Sequence, residues 1–75
     1  MTKQSFAVLI EKDEDGVFIG TVPSLTGCHS YGKTLDELMA NMREAIEAHL
    51  EAFAEEEKAL PVTRFAGVQE IEVEA

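Results

Sequence analysis

Seventy-five residues, 45% apolar and 28% charged, have the make-up of one ordinary globular domain spanning residues 1–75. Fifteen acidic against 6 basic side chains give a net charge of −9, which argues against direct nucleic-acid binding, since phosphate contacts need clustered Lys and Arg. The longest apolar run, Phe6 to Ile10, is too short for a membrane span.

Phe6, Val8 and Ile10 alternate with Ala7, Leu9 and Glu11, the period of a strand. Asp13-Glu14-Asp15-Gly16 is a turn, because short carboxylates bond nearby backbone and glycine takes positive φ. Val17 to Val22 is a second β-branched run, so residues 5–22 are expected to form an antiparallel hairpin. Pro23 and Gly27 bracket a loop, and a third strand is expected over Cys28 to Tyr31, ending at Gly32, with His29 and Tyr31 on one face.

Thr34-Leu35-Asp36-Glu37 is a capping box. After it Leu35, Leu38, Met39, Met42, Ile46, His49, Leu50 and Phe53 recur every three or four residues, one apolar stripe on a helix. Asn41 and the glutamates fall outside that stripe, and Pro61 limits the helix to about Ala59. A last strand is expected over Val68 to Glu74, with Ile71 and Val73 inward and Glu70, Glu72 and Glu74 outward. The fold class is therefore α+β in the order β-β-β-α-β. One mixed four-stranded sheet carries a long helix on one face, with the last strand beside the first and parallel to it.

Four stretches suggest chemistry, and none carries a catalytic, cofactor-binding or metal site. GCHSYGKT, residues 27–34, matches the pattern of a phosphate-cradling loop, but no buried parallel strand precedes it, and Asp36 and Glu37 would repel a polyphosphate. The acidic turn lacks the twelfth-position acid of a calcium loop. Cys28 and His29 are adjacent on a strand, so their side chains point to opposite faces and form no nucleophile–base pair. One cysteine and two histidines without short spacing make no zinc site. The lone Cys28 suits a reducing compartment, and Met1-Thr2-Lys3-Gln4 opens no signal peptide, so a cytoplasmic location is expected.

The stretch IEKDEDGVFIGTVPSLTGCHSYGKTLDELMANMREAIEAHLE resembles the HicB family of antitoxins. The resemblance rests on the acidic turn with Gly16, on Val22-Pro23-Ser24-Leu25, Gly27-Cys28, Gly32, Thr34 and Glu37, and on Asn41 with Glu44-Ala45-Ile46. It covers about residues 6 to 52. It implies a partly degraded ribonuclease-H-like fold and a role in binding and occluding a HicA-like toxin, a small basic ribonuclease that cleaves messenger RNA. It implies too that Gly32 and Thr34 serve a turn and helix cap, which leaves Lys33 incidental to the GCHSYGKT match. Antitoxins of the family often add a C-terminal DNA-binding domain; here only a strand follows the helix before Ala75, so operator binding by this chain alone is not expected.

The first functional reading is a non-enzymatic interaction module that needs no cofactor. An uncovered sheet face with apolar residues implies a homo-oligomer, a dimer or a higher even number. The partner surface is expected at Asp13, Glu14 and Asp15 and at His29 and Tyr31. The alternative is a residual metal-dependent nuclease, which would need several carboxylates converging on two metals.

Overall fold

The computed structural model describes residues 4–56 and 63–74. The hairpin forms as expected, with shorter strands. β1 (Leu9–Lys12) and β2 (Phe18–Thr21) pair antiparallel, Leu9 opposite Thr21 and Lys12 opposite Phe18. The turn between them is held by Asp13. Its Oδ1 accepts the backbone N–H groups of Asp15 and Val17, each at 2.9 Å, while its carbonyl accepts that of Gly16 at 3.1 Å. Gly16 has φ +82°, the left-handed conformation that costs a side-chain-bearing residue about 1 kcal/mol or more. Phe6 and Val8 lie before the ladder begins and pack half-buried against the core.

Two back-to-back turns lead from β2 to β3 (His29–Gly32). The N–H of Leu25 donates to the carbonyl of Val22 at 3.1 Å, and that of Cys28 to Leu25 at 3.0 Å. Val22 N–H then bonds Cys28 carbonyl at 3.0 Å and closes the loop. This geometry turns every third residue inward, so Val22, Leu25 and Cys28 are all buried. The Pro23–Gly27 stretch is thus a plug for the core as well as a connection. β3 pairs antiparallel with β2, Ile19 opposite Tyr31 and Gly20 opposite Ser30.

The helix α1 (Leu35–Glu55) starts at the expected cap, where Thr34 Oγ1 accepts the N–H of Glu37 at 3.1 Å. The expected continuation through residues 57–59 lies outside the described residues. Leu38 and Met42 are buried, and Ala45, Ile46, Leu50 and Phe53 pack half-buried beside them. His49 meets the Phe53 ring edge-on at 5.2 Å. Two glycines let the helix settle onto the sheet. A methyl on Gly32 would stand 2.6 Å from the backbone nitrogen of Leu38, and one on Gly20 would stand 2.9 Å from Met42 Sδ. Because those two glycines belong to β2 and β3, α1 lies over these strands, and its backbone does not come close to that of β1.

Two expectations need correction. The sheet has three strands in the order β1-β2-β3 among the described residues, and it is wholly antiparallel rather than mixed. Val68 to Glu74 is not a fourth strand beside the first: it has no regular structure, and residues 63–74 make no backbone–backbone hydrogen bond among the described residues. Alternation describes a segment with two unlike faces, and it becomes a strand only where an edge and an apolar layer receive it. Here the helix lies over β2 and β3, so β1 has no such layer above it.

Candidate functional site

The register sorts the strand residues into two faces, because directly opposed residues point the same way. The helix side takes Ile10, Gly20 and Ser30 in one row and Lys12, Phe18 and Gly32 in the next. Lys12 Nζ lies 5.1 Å from the centre of the Phe18 ring, as that row requires. The other side carries no helix. It presents Leu9, Thr21 and His29 in one row, and Glu11, Ile19 and Tyr31 in the other.

His29 and Tyr31 are therefore brought together on the open face, two residues apart on an edge strand. Tyr31 is 65% exposed, a large amphipathic ring held out to solvent. Its backbone is fixed from behind: Asn41 Nδ2, on the helix, donates to the Tyr31 carbonyl at 2.8 Å. The ring of His29 bonds the carbonyl of Gly27 at 3.0 Å through Nδ1. Since a carbonyl only accepts, Nδ1 is the donor in this contact. The acidic turn projects from the end of the sheet where Phe18 faces Gly32, the same end at which α1 begins with Asp36 and Glu37. Asp13, Glu14 and Asp15 are all exposed, but the Asp13 carboxylate is engaged in the turn.

Sequence reasoning left Leu9 as one of two alternatives for this face and missed Ile19 as part of it and Asn41 as its support. Alternation names the two candidate faces, yet only the register says which one the helix covers. The family pattern contains Asn41, whereas helical periodicity merely sets it outside the apolar stripe.

The other chemistry-bearing stretches resolve into structure. Residues 29–32 of the phosphate-loop match are a strand bonded to β2, and Gly32 lies buried against the helix. Cys28 is buried and faces the core, away from His29, and burial pushes its thiol above the ordinary range. Among the described residues no three His, Cys, Asp or Glu side chains gather so as to hold a metal ion. No described helix is long and apolar enough to cross a membrane.

An antiparallel sheet with one bare face, backed by a capped helix, narrows the comparison with known proteins. Residues 6–73 match the family model described as the HicB-like antitoxin of bacterial toxin-antitoxin systems. The chain belongs to the HicB-like antitoxin family. A UPF0150 protein of Synechocystis is 51% identical to this HicB-like chain over 73 residues, covering 97% of it and 100% of the relative. A UPF0150 protein of Archaeoglobus fulgidus is 52% identical over 68 residues, 91% of this chain and 93% of that one. The crystal structure of the N-terminal domain of the Burkholderia pseudomallei antitoxin HicB superimposes with a TM-score of 0.70 at 36% identity. That match covers 81% of this HicB-like chain and 72% of the other. It agrees with an α+β fold of three antiparallel strands and one long helix.

Proposed function

We propose that this HicB-like chain is a non-enzymatic, cytoplasmic antitoxin that binds a HicA-type messenger-RNA-cleaving toxin and covers the surface the RNA would use. The observation that carries the reading is the helix-free sheet face, where exposed Tyr31 stands across from Ile19 beside an acidic turn. A small ribonuclease presents cations where phosphates lie. An acidic partner fits such a surface by charge, and a tyrosine flanked by an aliphatic supplies the desolvated anchor. Glu14 and Asp15 provide the charge. Asp13 acts through the turn it holds, and His29 borders the anchor. The antitoxin functions as a homo-oligomer with an even number of chains.

The test is surface binding of purified chain to a HicA-type toxin at low and high salt. Replacing Glu14 by Gln and Asp15 by Asn together slows association several-fold at low salt and loses this effect at high salt. Tyr31→Ala speeds dissociation about tenfold or more. If both variants bind and inhibit the toxin as the parent does, the surface is wrongly placed. A metal-dependent nuclease activity in the purified chain would favour the ribonuclease-H-like enzyme instead.

A further inference from the structure

The C-terminal segment is an oddity in so small a protein. Val68, Ile71 and Val73 are 70%, 80% and 78% exposed, more than any other large apolar side chain described. Their neighbours Glu70, Glu72 and Glu74 complete a strand pattern in which Ile71 and Val73 share one face and the acids the other. The backbone of this segment makes no backbone–backbone hydrogen bond among the described residues, and its one side-chain contact is local, from Gln69 Nε2 to the Glu70 carbonyl at 3.5 Å. A sequence with a strand's period and β-branched side chains is built for a ladder that its own protomer does not provide.

The same protomer has an unfilled place. β1 is an edge strand, and since α1 does not reach it, its helix-side surface is half open. Ile10 is 46% exposed and Met39, on the facing flank of the helix, 41%. Next to them, between the residues leading into β1 and the helix, runs a groove whose apolar lining includes Phe6, Val8, Met39 and Ile46, with Arg43 and Glu47 as its charged members. The opposite edge is less receptive. The helix lies over β3, and Asn41 already occupies the Tyr31 carbonyl.

We infer that the antitoxin assembles by strand exchange: Val68–Glu74 of one copy adds to the edge formed by β1 and the residues leading into it in a second copy, with Ile71 and Val73 seated in the groove between Phe6, Val8 and α1. The exchange completes a four-stranded sheet in each copy from two chains. It hides the exposed β-branched side chains and gives their backbone a ladder, the chemistry of β-strand addition. Glu70, Glu72 and Glu74 alternate with them, so they turn to the helix-free side of the sheet and stay in solvent. Because each copy both gives and receives, the contact closes on a two-fold axis. It leaves the Tyr31 face free for the toxin. This inference rests on the self-association proposed above and supplies its mechanism.

Two measurements test it. In a sample mixing carbon-13-labelled and unlabelled parent chains, isotope-filtered spectra show contacts from the Ile71 and Val73 methyls of one molecule to the Phe6 ring or Met39 methyl of another. Contacts confined within one molecule, or none from these methyls, overturn the exchange. In light scattering at tens of micromolar, the parent has at least twice the 8.2 kDa mass of one chain. A variant with Ile71→Asp and Val73→Asp falls to the single-chain mass, and so does Met39→Glu. A mixture of the two variants regains a dimer, since one donates an intact strand and the other an intact groove. A monomeric parent defeats self-association altogether. An oligomeric parent whose Ile71→Asp, Val73→Asp variant keeps the parental mass defeats strand exchange alone and points to the open sheet face.

Discussion

Replacing Gly32 by alanine tests whether the contact between helix and sheet is as tight as the geometry shows. The added methyl would sit 2.6 Å from the Leu38 nitrogen and 3.0 Å from Glu37 carbonyl carbon and Leu38 Cα, where non-bonded heavy atoms prefer about 3.5–4.0 Å. All three are helix backbone, so no side chain can swing aside. The first turn of α1 would have to lift by about 1 Å. Overpacking of this kind costs about 1–3 kcal/mol. Lifting also opens water to Leu38, whose complete burial is worth about 1.5–3 kcal/mol. Losing part of that brings the total to about 3 kcal/mol. For a domain of this size each kcal/mol lowers Tm by about 4–8 °C, so a fall of about 12–24 °C is expected. Helical circular dichroism during urea and thermal unfolding, at one fixed protein concentration, measures it. Two controls bracket the value. At Gly27, φ is +82° and an added methyl meets nothing within 4 Å, so alanine there meets backbone strain alone, about 1–2 kcal/mol. At Gly20 the nearest atom is the movable Met42 thioether, which places Gly20→Ala below Gly32→Ala. If Gly32→Ala destabilises no more than Gly27→Ala, the close approach is not what holds the helix on the sheet.

Thr34→Ala removes the cap on the Glu37 N–H and is expected to cost about 1 kcal/mol, whereas Thr34→Ser retains most of it; chemical unfolding of both variants checks this. Cys28 is buried, so an alkylating reagent should label it in urea far faster than in the native chain, and equal rates would contradict its burial. Burial raises the folded thiol's pKa, so the native chain keeps a proton that the unfolded chain releases near pH 8.5. Stability contributed by this group is therefore complete below that value and falls as the pH climbs through it; the loss is absent in Cys28→Ala, and identical alkaline profiles for the two chains would refute it.

The local elements could be read from the chain because their causes are local. Asp13 and Gly16 make the turn with atoms a few residues apart, and Thr34 finds Glu37 three residues on. The stripe through Leu38, Met42 and Ile46 follows from helical period alone, and the placing of His29 with Tyr31 on one face follows from the strand's period of two. The failure of the phosphate-loop match was equally visible, since residues after a hairpin and a Pro-containing loop lack the strand-to-helix setting that a cradle needs.

Everything that depended on which surfaces meet had to wait for the tertiary structure. Alternation in Phe6 to Ile10 offered two faces, and only the register with Gly20, under Met42, showed that Ile10 turns toward the helix side and Leu9 toward the open one. Leu25 looked like a loop residue until paired turns brought it into line with Val22 and Cys28 in the core. Asn41 looked like a solvent residue until the helix placed it against the Tyr31 carbonyl. Val68 to Glu74 has the period of a strand, but a period says nothing about which edge will receive it. That was decided by where two glycines allow α1 to rest: over β2 and β3, leaving β1 uncovered. A sequence determines the faces of its segments because side-chain direction repeats along the backbone, while the partner of each face depends on long-range packing, here on a helix that Gly20 and Gly32 let come close to β2 and β3.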